Sequence, residues 1–168
     1  DELAQIAADV IATALRPSDS SWLCVLDTCP VRHNKLYELA RSPMFVGLAT
    51  AYFGERPGAV SVSVTAKFSD RWSDGCEVAW HQDRANTLTM LVPVNDQCES
   101  TGALRVLHGA HLKGYYATRP ARWGREIDWE ACGLGVGDVE GRAVCEPLCV
   151  GDVSVHDAMT PHASRFSK

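Results

Sequence analysis

The spacing of the hydrophobic residues changes once along the chain, near residue 59, and this change constrains the fold more than any other feature. Before it, apolar residues recur at helical spacing, which is typical of amphipathic helices. After it, apolar and polar residues alternate, as in Val60-Ser61-Val62-Ser63-Val64, which is typical of strands with one buried face. Helices followed by a run of short strands predict an α+β fold with an antiparallel β-barrel or β-sandwich core.

The helical part is predicted in three segments within residues 1–55. The first covers residues 3–14, which carry one apolar stripe. The second begins at Asn34, a residue type that caps helices well. The third begins at Ser42-Pro43, with serine as N-cap and proline at the first helical position, and it ends at Gly54.

The strands are predicted from alternation and from the turn residues that separate them. They cover residues 60–66, 77–81, 88–94, 103–107, 145–150 and 153–156. Between them, residues 118–141 contain a proline, several glycines, Trp123 and Trp129. We predict that this segment is a long loop with one helical turn, serving as a mobile lid or substrate-facing loop.

The length and composition predict one globular domain. The chain has 168 residues, 46% of them hydrophobic and 22% charged, which is ordinary for a folded domain. We divide residues 1–168 into a helical support region at 1–55 and a β core at 59–168. The net charge of −5 without a Lys/Arg cluster argues against a nucleic-acid partner. No apolar run approaches the roughly 18 residues of a membrane span.

The cysteines bear on the compartment. There are seven of them, and no two have the CxxC spacing. A disulfide-bonded secreted domain usually has an even number at regular spacing. We therefore predict reduced thiols in a cytoplasmic protein.

His81-Gln82-Asp83 stands at the end of a predicted strand. Side chains two positions apart on a strand point to the same face, so His81 and Asp83 are able to reach one metal ion, while Gln82 points the other way. Alone, this pattern is weak, and a surface turn is the alternative interpretation.

A second histidine strengthens the metal hypothesis. His162 lies 79 residues after Asp83 and follows the last predicted strand. Two imidazoles and one carboxylate on one face of an octahedral ion leave three positions open, which is the pattern of non-haem Fe(II) oxygenases. We therefore predict His81, Asp83 and His162 as the catalytic metal ligands.

An ordered set of segments resembles the phytanoyl-CoA dioxygenase family. In chain order they are Lys35–Glu55, Trp80-His81-Gln82-Asp83, Gly102–His111, Gly151-Asp152-Val153 and His162-Ala163-Ser164. The resemblance covers residues 25–116 and 143–164. The ordered set is specific, whereas any one motif alone is not.

The resemblance implies a double-stranded β-helix, the jelly-roll or cupin-like architecture, with the N-terminal helices packed on it. It implies a dioxygenase that uses Fe(II), 2-oxoglutarate and O₂ to hydroxylate or otherwise oxidise a small organic molecule. The iron would be bound by His81, Asp83 and His162. Lys67 and Ser164 are expected to contact the cosubstrate, and Ser164 would share the strand face of His162. Related halogenases have a small residue where Asp83 stands, so hydroxylation is expected rather than halogenation.

Two features depart from the family pattern. The segment usually reading Pro-Gly-Ser-His is His108-Gly109-Ala110-His111 here. Family members also place an arginine about one strand beyond the distal histidine, where it pairs with the C5 carboxylate of 2-oxoglutarate. Arg165 is the only arginine after His162, and on a regular strand it would point away from the His162 face. We therefore expect the anchor, and the strand that carries it, beyond Lys168.

Two other functions stay open. The missing anchor arginine is consistent with a cupin-like metal enzyme that does not use 2-oxoglutarate. A non-catalytic small-molecule binding module on the same fold is the other alternative, because fold does not fix function.

Several other residues have both a structural and a functional interpretation. His108 and His111 are assigned to a glycine-flanked loop, and His156 to a strand close to the metal. His33 and Arg84 are expected at the surface. The tryptophans belong either to the core or to a substrate pocket; they are Trp72, Trp80 and Trp123.

Overall fold

The computed structural model describes residue 5 and residues 22–27, 34–58, 62–67, 78–121 and 124–164. The chain divides into two compact units, Asp1–Ser73 and Asp74–Lys168, which are described separately. The single-domain expectation stays a prediction. Among the described residues, no helix combines the length and the apolar character needed to span a membrane.

Two helices of the first unit confirm the sequence pattern. Helix α1 covers Asn34–Ala40 and helix α2 covers Pro43–Phe53. Ser42 is the N-cap of α2, although its hydroxyl makes no capping hydrogen bond. Gly54 ends the helix with a φ of 75°, a left-handed conformation that glycine adopts without strain. Of the helix predicted at 3–14, only Gln5 is described, and it is helical.

The first unit also contains a strand pair that the helical prediction for residues 1–55 did not include. Strand β1, Trp22–Asp27, pairs antiparallel with strand β2, Val62–Lys67. Trp22 lies opposite Lys67, and Asp27 lies opposite Val62. The apolar run of β1 shows no alternation, and its partner lies far along the chain. The prediction of a wholly helical region is therefore wrong at β1, because the pairing is non-local.

The second unit is built on a four-stranded antiparallel sheet. Its strands run in the order β3-β10-β5-β8. Their bounds are Val78–His81, His162–Ser164, Leu104–Val106 and Val144–Glu146 respectively. A separate pair joins β4, Leu88–Leu91, to β9, Ser154–Asp157. The predicted strands are thus present, although the one at 145–150 ends early and continues only as a bridge between Gln97 and Leu148. Helices and antiparallel sheets together confirm the α+β class.

The predicted loop at 118–141 is wrong. Strands β6, Thr118–Ala121, and β7, Gly124–Ile127, form an antiparallel hairpin, and Val136–Arg142 form helix α3. The proline of β6 is tolerated because this two-stranded ribbon leaves its edges free. Gly133 has a φ of 71° and ends the turn before the helix. Of the glycines that suggested a loop, Gly133 and Gly135 lie before the helix, whereas Gly124 begins β7 and Gly137 and Gly141 lie within α3.

One face of the four-stranded sheet carries the core of the second unit. The core cluster contains Trp80, Leu107, Ala110, Ile127, Trp129, Val139 and Ala163. Trp129 is 5% exposed, and its ring meets that of Trp80 edge to face at 6.1 Å. Because Ile127, Trp129 and Val139 are buried here, the part of 118–141 that holds them is core rather than a mobile lid. Trp80 is likewise a core residue.

A buried ion pair attaches α3 to this face. Arg105 is 7% exposed, and its Nη1 lies 2.6 Å from Oε2 of Glu140. The indole Nε1 of Trp80 donates to Oε1 of the same carboxylate at 2.9 Å. The guanidinium of Arg105 also lies over the Trp80 ring, 5.7 Å from its centroid. Glu140 thus links the helix to two strands of the sheet.

Candidate metal centre

His81 and His162 meet across two neighbouring strands. His81 is the last residue of β3, His162 is the first residue of β10, and the two are direct partners in the antiparallel register. Their ring centroids are 4.1 Å apart. Their chain neighbours Trp80 and Ala163 belong to the core cluster on the opposite face. The alternation of strand side chains therefore brings both imidazoles to the face that the core leaves free.

Backbone hydrogen bonds orient both rings in the same way. Nδ1 of His81 lies 2.8 Å from the carbonyl oxygen of Ala79, and Nδ1 of His162 lies 2.9 Å from that of Thr160. A neutral imidazole that donates its Nδ1 proton to a carbonyl leaves Nε2 as an acceptor with a free lone pair. Both histidines therefore present the nitrogen that a metal ion requires.

Asp83 completes the group from the loop that follows β3. Its Oδ1 lies 3.7 Å from Nε2 of His81, and its Oδ2 lies 3.7 Å from Nε2 of His162. The donor atoms of these three residues all lie within 4.8 Å of one another. Metal–ligand bonds of about 2.0–2.2 Å place neighbouring ligand atoms about 3–3.6 Å apart, so the two 3.7 Å separations are close to those that a bound ion requires.

The charge state of His162 suits metal binding. Burial lowers its pKa to about 4, and the nearby His81 acts in the same direction. The Thr160 carbonyl and the Asp83 carboxylate act against this shift. With its pKa lowered to about 4, His162 is neutral at pH 7, so no proton has to leave it before a metal binds. Two imidazoles and one carboxylate are the donor set that suits Fe(II).

The middle residue of the motif makes a set of contacts that the sequence did not predict. Gln82 Nε2 donates to the carbonyls of Gly114, at 3.0 Å, and of Met159, at 2.6 Å. Its Oε1 accepts from the backbone N–H of Tyr116 at 2.9 Å. The alternation of the strand predicted that Gln82 points away from the metal. Its partners lie 32 to 77 residues after Gln82 in the chain, so no local sequence pattern predicts these contacts.

A third imidazole lies beside the candidate centre. His156 is on β9, and its ring centroid is 5.0 Å from that of His162. Burial lowers the pKa of His156, against the opposing effect of nearby carboxylates. Both of its ring nitrogens are buried and lack a hydrogen-bond partner among the described residues. His156 thus lies on a strand, as expected, beside a proposed metal ligand; its role near a metal stays a prediction.

Other residues singled out in the sequence are not among the three donor groups. His108 is exposed and its Nε2 is 3.8 Å from Glu146, and His111 belongs to a short 3₁₀ turn. Arg84 is exposed. Ser164 is buried on β10, paired with Leu104.

Some of the predictions concern residues outside the described ones. They are His33, Trp72, Trp123 and Arg165. Lys67 is the last residue of β2 in the first unit, and nothing is described of its side chain, so its predicted contact with the cosubstrate stays a prediction. Cys98, Cys132, Cys145 and Cys149 are free thiols, and the cytoplasmic location also stays a prediction.

Solved structures share this fold. The epimerase SnoN, in complex with Fe³⁺, alpha ketoglutarate and nogalamycin RO, aligns at a TM-score of 0.69 with 19% identity, over 98% of this chain and 67% of its own. EvdMO1 aligns at 0.65 with 24% identity, over 99% and 40%. EvdO2 from Micromonospora carbonacea var. aurantiaca aligns at 0.63 with 17% identity, over 99% and 75%. At these identities the likeness concerns the fold alone.

The extent of the matches is limited. The chain spans 35% of the length of the apo non-heme monooxygenase ThoJ, with a TM-score of 0.42 and 29% identity over 56% of this chain. It spans 60% of the length of EvdO2 in its complex with 2-oxoglutarate. No family model and no curated protein matches the chain. The chain thus shares its fold with SnoN, whose structure contains Fe³⁺ and alpha ketoglutarate, and with EvdO2, one structure of which contains 2-oxoglutarate.

Proposed function

We propose that the protein is an Fe(II)- and 2-oxoglutarate-dependent dioxygenase of the hydroxylase type, on a double-stranded β-helix similar to that of the phytanoyl-CoA dioxygenase family. The single observation that carries this proposal is the meeting of His81, Asp83 and His162, with each imidazole Nε2 3.7 Å from a different oxygen of one carboxylate. The three residues hold the metal, and they leave open the positions that the cosubstrate and O₂ require.

The roles of the chain's own residues follow from their positions. Bound Fe(II) with 2-oxoglutarate supplies the oxidising chemistry, and the protein positions the reactants and excludes bulk water. Ser164, buried two residues beyond His162, and Lys67 are proposed to contact the cosubstrate. Asp83 fills a coordination position that a halide would need, which favours hydroxylation over halogenation.

The substrate is proposed to be a small organic molecule. SnoN carries nogalamycin RO together with its iron and alpha ketoglutarate, and EvdO2 carries 2-oxoglutarate. These two enzymes share the fold with this chain at 19% identity each, so their ligands suggest only the class of molecule.

The test is anaerobic reconstitution with Fe(II), followed by 2-oxoglutarate and then air. The proposal expects one iron per chain, a visible charge-transfer absorption when 2-oxoglutarate is added, and succinate after O₂ is admitted. His162→Ala is the control that should show none of these. A protein that binds no metal would contradict the proposal and would favour a non-catalytic binding module.

A cupin-like metal enzyme that does not use 2-oxoglutarate is the second candidate, and His156 is the observation that favours it. Its ring centroid lies 5.0 Å from that of His162, and both its nitrogens are buried without a hydrogen-bond partner among the described residues. A fourth protein ligand would leave two positions on an octahedral ion, too few for bidentate 2-oxoglutarate and O₂ together. In this second case His156→Phe weakens metal binding, whereas in the first case it leaves the metal affinity unchanged.

A further inference from the structure

Asp83 differs from the two histidines in how the fold supports it. His81 and His162 lie on paired strands, and backbone carbonyls orient both rings. Asp83 lies in the loop beyond β3, and its side chain is 44% exposed. A half-exposed carboxylate on a loop samples many positions unless other contacts fix the loop backbone. High metal affinity requires that the carboxylate stays in one position.

Three sets of hydrogen bonds hold that backbone. The Asp83 N–H donates to the Ala158 carbonyl at 2.8 Å. On its N-terminal side, Gln82 uses three of its four hydrogen-bonding positions on the backbone of Gly114, Tyr116 and Met159. On its C-terminal side, the N–H of Ala85 donates to the Tyr115 hydroxyl at 3.0 Å.

The segment that receives these bonds is itself fixed to the core. The ring of Tyr116 meets that of Trp129 edge to face at 5.3 Å, and the hydroxyl of Tyr116 reaches the Ala110 carbonyl at 3.5 Å. The loop that carries Asp83 is therefore attached, through the side chain of Gln82, to a segment anchored in the buried cluster around Trp129.

We propose that Gln82 is a positioning residue of the metal centre, holding the loop so that the Asp83 carboxylate stands between the two Nε2 atoms. The inference rests on the proposed function insofar as it requires that a metal binds at His81, Asp83 and His162. It adds a residue that touches neither metal nor substrate and that acts through Asp83. It also couples the segment Gly114–Tyr116 to metal binding, because a metal that fixes Asp83 must stabilise the bonds that hold its loop.

The main variant is Gln82→Met, which keeps the length of the side chain and removes all three hydrogen bonds. The matched control is Gln97→Met, because Gln97 pairs with Leu148 only through its backbone. Co(II) serves as the probe, with affinity measured by calorimetry and by its visible absorption, at a temperature where circular dichroism shows each variant to be folded. Hydrogen exchange of the Tyr116 amide is followed with and without Co(II).

We expect Gln82→Met to bind Co(II) about 10–100-fold more weakly than the wild type, the range typical of outer-shell partners, with an altered absorption spectrum. We expect Co(II) to slow exchange at Tyr116 in the wild type and to slow it less in Gln82→Met. Gln97→Met should match the wild type in all three readouts. A residue with only a structural role would lower the melting temperature and leave the affinity and the spectrum of the folded protein unchanged.

A folded Gln82→Met variant with wild-type Co(II) affinity and spectrum overturns this inference alone and leaves the proposed function standing. A wild-type protein that binds no Co(II) overturns the proposed function and the inference with it. If Gln82→Met does not fold, Gln82→Asn replaces it. Asparagine is too short to reach both Met159 and the segment Gly114–Tyr116, so the same criterion of weakened Co(II) binding applies.

Discussion

At the scale of single residues, the candidate centre depends on three donor groups that come from two strands and one loop. His81, Asp83 and His162 are the described residues whose donor atoms lie within 4.8 Å of one another. Each would supply one of three protein ligands. The exposed neighbour Arg84 has no free lone pair with which it could bind a metal ion in place of one of them.

We predict that His81→Ala, Asp83→Ala and His162→Ala each abolish Fe(II) binding and turnover. Each substitution removes one ligand of three, and two ligands hold Fe(II) too weakly at ordinary concentrations. Iron content after reconstitution measures the loss, with Arg84→Ala as the control that keeps its iron. Retention of full activity in the His162 variant would show that the ligand assignment is wrong.

The lowered pKa of His162 predicts a pH dependence of stability in the metal-free protein. Burial moves this pKa from 6.5 to about 4 in the folded state. Between these values the unfolded chain takes up a proton that the folded chain does not. The contribution of His162 to stability is therefore present above pH 6.5 and is lost as the pH falls towards 4, at a limit of about 1.4 kcal/mol per pKa unit.

Urea unfolding of the metal-free protein at several pH values between 7 and 4 measures this effect. His162→Gln, which has no titrating group, should show a shallower fall of the unfolding free energy over the same window. The lowered pKa of His156 acts with the same sign, so some dependence remains in the variant. Identical pH profiles for the two proteins would contradict the prediction.

The residues of the candidate centre were predictable from the sequence to different degrees. The pair His81 and Asp83 was visible in the two-residue spacing at the end of a strand, because strand geometry is local. His162 required the order of the motifs along the whole chain. The bonds of Gln82 to Gly114 and Met159 were not predictable, because they join segments that only the folded chain brings together.

At the scale of secondary-structure elements, helix α3 is attached to the sheet by one charged contact. Glu140 accepts from Trp80 and pairs with the buried Arg105. Removal of one partner from a buried ion pair leaves the other charge buried without compensation, which is costly. Removal of the half-buried Glu140 carboxylate costs little by itself. The larger cost is the buried guanidinium of Arg105 that is left without a partner.

We predict that Glu140→Leu lowers the free energy of unfolding by about 3 kcal/mol, at the lower end of the range for such pairs. The double variant Arg105→Met/Glu140→Leu should recover most of that loss, because it buries no unpaired charge. Denaturant unfolding of the two variants and the wild type gives the comparison. Equal losses in the single and double variants would mean that lost packing, and not the unpaired charge of Arg105, causes the destabilisation.

The alternation of apolar and polar residues predicted some of the strands and missed others. The strands β2, β4, β5 and β9 were predicted because apolar and polar residues alternate along them, so the signal lies within each strand. Strand β1 was missed because its apolar run lacks a period and its partner β2 lies in a distant part of the chain. The hairpin β6–β7 was missed because a proline and glycines mask strands as short as four residues.

At the scale of the whole molecule, all three proposed ligands belong to one compact unit. They lie between residues 81 and 162, within Asp74–Lys168. The strands of the first unit, β1 and β2, supply none of them. Metal binding should therefore act on the stability of the second unit directly.

We predict that metal raises the melting temperature of the transition in which the second unit unfolds. A ligand that binds only the folded state adds about 2.7 kcal/mol at a free concentration one hundred times its dissociation constant. If all 168 residues unfold in that transition, this corresponds to a shift of about 5–11 °C, and the shift is larger if the second unit unfolds alone. Scanning calorimetry with and without Co(II) measures it, and His162→Ala should show no shift.

The number of transitions then distinguishes one domain from two. If residues 1–168 unfold as a single domain, as the sequence predicts, Co(II) moves one transition that contains the whole unfolding enthalpy. If the units separated at Ser73 and Asp74 unfold independently, Co(II) moves one of two transitions and leaves the other in place. In that case the single-domain prediction is wrong, and the unmoved transition belongs to the helices and strand pair of the first unit. A shift in both of two resolved transitions would instead mean that the units are coupled in stability although the metal ligands lie in one of them.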